Sequence, residues 1–191
     1  MAARTRQRMI EGATRLLAVR GLQETSFSEV LHLTGAPRGS IYHHFPDGKD
    51  QLIAEAIDFA GARAVELIDS KAGSSAEEIT RHFLEMWRQV LTRSDFRAGC
   101  SVLAVTIATD SGALLDRAAT VFRTWRSHLA ESLRAGGLSD DDARGFAAVL
   151  IAASEGAVAL SRAERNLDPF DLVAGQLRKQ VRELNEAQEP G

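Results

Sequence analysis

Arg38, Gly39 and Ser40, followed by Tyr42, His43 and Lys49, gather on one short stretch the groups needed to read and grip a nucleic acid. A guanidinium donates two parallel hydrogen bonds to a guanine edge, and a glycine admits close approach. Tyrosine, histidine and lysine are better suited to phosphates. Upstream, Thr25 and Ser26 put hydroxyls at the start of another short helix. A hydroxyl there bonds a backbone donor or a phosphate, and the positive end of the helix dipole favours the same anion. This is recognition chemistry, without bond making.

Catalytic arrangements are not found. The sequence has no HExxH, GxSxG, P-loop or GxGxxG pattern. His43 and His44 are adjacent and point about 100° apart on a helix, a poor metal pair. His82 with Glu85 has a ligand-like spacing, but it occurs once and in the reverse order to the Glu-x-x-His of di-iron bundles. No enzyme activity, metal or cofactor is expected.

The elements that position these residues read as helices throughout. Apolar residues recur at intervals of three and four, with no run of period-two alternation, so the fold is expected to be all-α with about nine helices. Met9, Ile10, Ala13, Leu16 and Leu17 form a stripe on a first helix from about Thr5 to Arg20, stopped by Gly21. Phe27, Val30 and Leu31 fit a short helix closed by Gly35. Pro37 pre-sets the first turn of the next, whose Ile41 and Phe45 face inward. Two short helices around a glycine turn form a helix-turn-helix.

A long helix is predicted from about Asp50 to Ala72, and a break at Gly73 to Ser75 precedes a helix through about Thr92. A short apolar helix follows over Cys100 to Thr109. Ser111, Asp140 and Asp168 are candidate caps for three more, ending near Gly136, Arg165 and Ala187. The boundary between a DNA-reading head, residues 1–49, and a larger body, residues 50–191, falls at Lys49.

The chain has 191 residues and a net charge of −3. Residues 1–49 hold seven Lys and Arg against four Asp and Glu, a local +3 that leaves −6 for residues 50–191. The net charge by itself argues against indiscriminate nucleic-acid binding, but its distribution matters more, with a basic head on an acidic body. One cysteine, Cys100, forms no intrachain disulfide, and a reducing cytoplasm is the expected home. The apolar run AAVLIAASEGAVAL is broken by Glu155, so no membrane partner is expected.

The segment TSFSEVLHLTGAPRGSIYHHFPDGKDQL, residues 25–52, resembles the DNA-binding domain of the TetR family of repressors. The likeness rests on Thr25, on Gly35 in the turn, on Ile41, Tyr42 and Phe45 in the recognition helix, and on Lys49 after it. The usual spacing puts two residues between the Phe and the Lys, whereas here Pro46, Asp47 and Gly48 make three. That FPDGK form, with GCSVLAVTIATD at residues 99–110, is similar to the LmrA/YxaF-like branch, some members of which respond to flavonoids.

The resemblance implies a ligand-responsive repressor that binds an inverted-repeat operator on double-stranded DNA as a homodimer. The body would then hold a small apolar or aromatic effector. Phe59, Phe83, Met86, Trp87, Val105, Phe122, Trp125 and Leu129 lie on helices that a family-like arrangement would converge. Stripes of this kind also serve as plain core. Polar groups in apolar stretches are more diagnostic, because an unpaired buried polar group costs roughly 1–3 kcal/mol. Ser154 and Glu155 are the clearest, followed by Cys100, Ser101 and Thr106; Glu155 can instead have a structural partner. His82 and His128 read as surface or satisfied core residues.

The last two helices are candidates for a dimer face, with Phe146, Val149, Leu150, Ala153, Ala157 and Leu160 on one, and Leu172, Leu177, Val181 and Leu184 on the other. Small residues between them allow close approach, within one chain or between two. A DNA-binding architectural protein with a filled core is the rival reading. A cavity of about 300 Å³ or more favours sensing over it.

Overall fold

The computed structural model describes residues 2–188, and among them the chain forms nine helices and no strand. These are α1 (Ala2–Arg20), α2 (Phe27–Thr34), α3 (Arg38–His44), α4 (Lys49–Asp69), α5 (Ala76–Arg93), α6 (Ser101–Thr106), α7 (Gly112–Ala135), α8 (Asp140–Glu164) and α9 (Asp168–Glu186). They belong to two compact units. One comprises residues up to Arg63 with Cys100–Phe122, the other Ala64–Gly99 with residues from Arg123 onward. Helices α4 and α7 contribute residues to both.

In the first unit, the α1 stripe of Met9, Ile10, Ala13, Leu16 and Leu17 is buried as its spacing predicts. Helix α1 packs against α2, α3 and α6. The approach to α2 is close, because a Cβ at Gly12 would sit 2.6 Å from Thr34 Cγ2. Val30, Ile41, Phe45, Leu52, Ile53, Ala56 and Ile57 complete this core. Each large side chain removed from water contributes roughly 1.5–3 kcal/mol.

The second unit is built on α5, α8 and α9, which pack pairwise. Their buried faces follow the helical period: Ile79, Phe83, Leu84 and Leu91 on α5, Phe146, Leu150 and Val158 on α8, and Phe170, Ala174, Leu177 and Val181 on α9. Two backbones touch where α7 ends. Ala76 N–H donates to Gly136 O at 3.0 Å, and a Cβ at Gly136 would lie 2.6 Å from Ala76 N.

Several helix ends differ from the predicted ones by a residue or more. Ser139, rather than Asp140, caps α8, its Oγ accepting from the Asp142 N–H at 3.2 Å; Asp140 becomes the first helical residue. Asp168 is likewise inside α9, with Leu167 at the cap position and no side-chain cap. Pro37 caps α3 by position instead of opening its first turn. Helix α4 stops at Asp69, ahead of the turns that lead to Gly73. Helix α6 is shorter than predicted, with Cys100 as its cap: the Leu103 N–H donates to Cys100 Sγ at 3.3 Å. Helix α8 carries an 18-residue window of mean hydropathy 1.5, enough by length and composition to cross a membrane; half of that window is buried in the fold.

Candidate nucleic-acid interface and sensing core

Helices α2 and α3 are held by fixed ends. Ser26 Oγ accepts from the Glu29 N–H at 3.2 Å, which caps α2 at its start. Gly35 takes the left-handed conformation at φ 63°, where a glycine carries no steric penalty, and its N–H donates to Leu31 O at 2.9 Å. Helix α3 then pins itself with Ile41 and Phe45, both fully buried. What remains on its outer side is an exposed run of Arg38, Gly39, Tyr42 and His43.

The predicted contact residues divide by what already holds them. Arg38 is exposed and makes no hydrogen bond or ion pair among the described residues. A Cβ at Gly39 would meet nothing within 4 Å. Tyr42 is 69% exposed, its ring edge-on to Phe27 at 5.6 Å between centroids, so the phenol is propped outward. His43 is exposed beside the His44 ring. Ser40 Oγ donates to Pro37 O.

Lys49 Nζ donates to Leu22 O at 3.0 Å and keeps two further protons to donate. Thr25 is different, being 1% exposed with its hydroxyl given to Gly21 O at 2.8 Å, which closes the turn between α1 and α2. Sequence reading also missed how the N-terminal arginines are engaged. Arg8 donates to Thr34 O, Arg20 pairs with Glu29, and Arg6 pairs with Glu55 and lies 5.3 Å from the Phe45 ring centroid. Counting charges along residues 1–49 cannot reveal this, because pairing is set by the fold.

A capped short helix, a left-handed glycine turn and a second short helix with a polar outer face, seated on a third, make this a helix-turn-helix regulator of the all-α class. The comparisons with known proteins narrow the class. Residues 9–56 match the model of bacterial regulatory proteins of the TetR family, and residues 76–176 match that of the C-terminal domain of LmrA/YxaF-like transcriptional regulators. The chain is 38% identical over 180 residues to an uncharacterized HTH-type transcriptional regulator of Mycobacterium tuberculosis, covering 91% of this chain and 92% of the relative. It is 28% identical over 171 residues to the HTH-type transcriptional regulator LmrA of Bacillus subtilis, covering 87% and 90%.

In fold it is similar to a TetR regulatory protein from Rhodobacter sphaeroides, with a TM-score of 0.81, 24% identity and coverage of 91% of this chain and 96% of that one. The chain belongs to the TetR family of transcriptional regulators, in its LmrA/YxaF-like branch. Its relatives are regulators of transcription, not enzymes. Regulators of this family bind operator DNA and act as dimers.

The residues predicted for an effector fall into both units. Phe59, Cys100, Val105 and Phe122 belong to the first, and Phe83, Met86, Trp87, Trp125, Ser154 and Glu155 to the second. Within the second, Phe83 and Met86 line one enclosed apolar cavity with Leu67, Ile68, His82 and Leu129. It holds only about 10 Å³, far short of the roughly 300 Å³ that favours sensing over a filled core. Trp87, 7% exposed, and Ser154, fully buried, leave Nε1 and Oγ without a hydrogen-bond partner among the described residues. Glu155 is 7% exposed on the same helix as Ser154. The histidines are satisfied, with His82 Nε2 3.2 Å from Leu67 O and His128 Nδ1 3.1 Å from Asp69.

Two surface features of the second unit were not read from the sequence as such. The predicted dimer-face residues separate into two sets. Phe146, Leu150, Ala157, Leu177 and Val181 are buried within the chain, whereas Val149, Leu160 and Leu172 are 43%, 53% and 73% exposed. With Ala152, Gly156 and Ala159, the exposed α8 residues form a continuous small and apolar face. Beside that face, α7 and α8 bound an open concavity of about 510 Å³, lined by Arg123, Arg126, Arg144 and Asp141 together with Gly145 and Ala148.

Proposed function

We propose that this regulator is a cytoplasmic, homodimeric repressor that leaves its operator when a small apolar or aromatic molecule occupies the body. Residues 1–49 act as the head that reads DNA, and residues 50–191 as the body that senses and dimerises. The start of α3 enters the major groove, where Arg38 reads a guanine edge and Tyr42, His43 and Lys49 hold phosphates. Ser26 and Ser40 border that surface, and Thr25 acts from beneath by fixing the turn.

The observation that carries the DNA reading is the pairing of Arg38 with Gly39. Arg38 has no partner among the described residues, and Gly39 is helical with no described atom within 4 Å of an added Cβ. Nothing inside the protein asks for a glycine there, although the lost side chain costs up to about 1 kcal/mol relative to alanine. A DNA backbone brought close accounts for both residues.

Arg38→Ala is expected to weaken operator binding by about 1–3 kcal/mol and to relax preference at one base position. Fluorescence anisotropy against an inverted repeat with half-sites about 34–36 Å apart measures both. Unchanged affinity and preference would overturn the placement of α3.

Support for sensing comes from the second unit, where Trp87 Nε1 and Ser154 Oγ are buried without partners. A ligand with polar groups on an aromatic body would supply what those atoms lack. The closed cavity beside Phe83 and Met86 means that the ligand must open the interior, and α4, which starts at Lys49, is the lever that carries that opening to the head. A tenfold release of the operator requires about 1.4 kcal/mol of preference for the DNA-free state, and the operator must weaken the ligand by the same factor. Titrating an effector against free and operator-bound protein tests this, since equal affinities would remove the lever.

A further inference from the structure

We propose that the arginine-walled concavity between α7 and α8 receives the C-terminal turn of α8 from a second copy of this chain, with the partner's Glu164 held by Arg126 and Arg144. The proposal rests on the dimer reading above and adds the register and the electrostatic lock.

The exposed face of α8 is complementary to itself when read in opposite directions. About a midpoint between Ala152 and Gly156, Val149 is matched by Ala159, Ala148 by Leu160, Gly145 by Ala163 and Arg144 by Glu164. A two-fold axis through that midpoint would place two α8 helices antiparallel, each bulky residue opposite a small one. Leu160, 53% exposed, would rest on the partner's Ala148, which lines the concavity. The exposed apolar residues of α8 are thereby covered.

The ends of the face are matched by charge. Glu164 is exposed, and its carboxylate has no partner among the described residues; Arg126 is likewise free. Arg144 reaches only its neighbour Asp141 at 4.0 Å, with both side chains largely exposed. Residues 144 and 164 each lie ten positions from the midpoint, about 15 Å along the helix. At a crossing angle near 20° two helices diverge by only about 5 Å over that length, which extended Arg and Glu side chains span. Arg123 and Arg126, one turn apart on α7, provide the second wall. In a body of net charge −6 this is a local reversal of sign, and it sits where the partner's carboxylate arrives.

The test uses full-length chains with opposite reversals, Glu164→Arg in one and Arg126→Glu with Arg144→Glu in the other. Each alone meets like charge at both ends of its homodimer and is expected to dissociate about tenfold more readily in sedimentation. Mixed together, the two place opposite charges at both ends of the heterodimer. Native mass spectrometry should then find heterodimer well above the statistical half.

Stable dimers that mix statistically would overturn the lock while leaving the dimer intact. A wild-type chain that sediments as a monomer would overturn the dimer reading itself. Arginine reversals that abolish binding of inorganic phosphate in calorimetry but leave dimerisation unchanged would reassign the concavity to a small anion. Retained helical content in circular dichroism confirms that the variants fold.

Discussion

The two units treat their buried polar groups differently. In the first, Thr25 is 1% exposed and its hydroxyl is used within the turn it closes, while the half-buried Thr14 hydroxyl donates to Ile10 O and Ala56 O. In the second, Thr80 and Ser161 are satisfied, but Ser154 Oγ and Trp87 Nε1 are not. Each such atom holds the folded state back by roughly 1–3 kcal/mol. The unit that carries α3 has these hydroxyls closed, whereas the other keeps two polar atoms without partners among the described residues.

Truncating the head core provides the severest test of that contrast. Phe45→Ala removes a fully buried ring and is expected to cost about 3–5 kcal/mol. If the units unfold separately, calorimetry will show a lowered transition for the first and an unmoved one for the second. A single transition shifted as a whole would mean that the units are one cooperative body.

The frame of the second unit should be as intolerant as the head. Gly136→Ala forces a Cβ to within 2.6 Å of Ala76 N, and urea denaturation should find it about 1–3 kcal/mol less stable. Little change would mean that the α5 start is loosely held.

The sharpest comparison pairs two small substitutions. Thr25→Val strips a satisfied hydroxyl and leaves Gly21 O short of a donor, so a loss of about 1 kcal/mol is expected. Ser154→Ala removes an unsatisfied one and is expected to be neutral or stabilising. Equal losses would erase the distinction between the units.

The smallest effect concerns Asp58 in the first unit. Burial pushes its carboxyl above the ordinary value of 3.8 and Glu55 adds to this, while Arg117 opposes. The folded state therefore holds this proton more tightly than the unfolded one, so the Asp58 contribution favours folding at low pH and is lost as pH rises from about 4 through the raised value. Arg117→Ala removes the opposing charge and should steepen that loss in thermal melts across pH. A flatter profile would assign the shift to another group.

Much of the fold was legible because helical stripes repeat locally. The α1 stripe, the glycine turn at Gly35 and the inward Ile41 and Phe45 follow from spacing and turn chemistry alone. Helix ends slipped where two adjacent residues both qualify as caps: Ser139 and Asp140 are equally plausible in sequence, and the hydrogen bond from Asp142 selects the serine. The exposed polar side of α3 was legible as a set of residues, but the burial of Thr25 was not, since it depends on how α1 meets α2. On α8, periodicity could not separate Leu150, fully buried, from Leu160, half exposed, because both recur at helical spacing and only the placement of α5 and α9 decides. The arginine concavity joins residues about twenty positions apart on two helices, beyond the reach of any single-helix pattern.

Gly39 has a consequence for how this chain tolerates change. A search for more heat-resistant variants, scored on the protein by itself, would favour alanine there, since helix propensity improves and no described atom lies within 4 Å of the added Cβ. Under the proposed placement of α3 against DNA, the same variant scored by regulation in a cell would be discarded. Under that placement, position 39 is a place where selection for durability and selection for gene control pull apart.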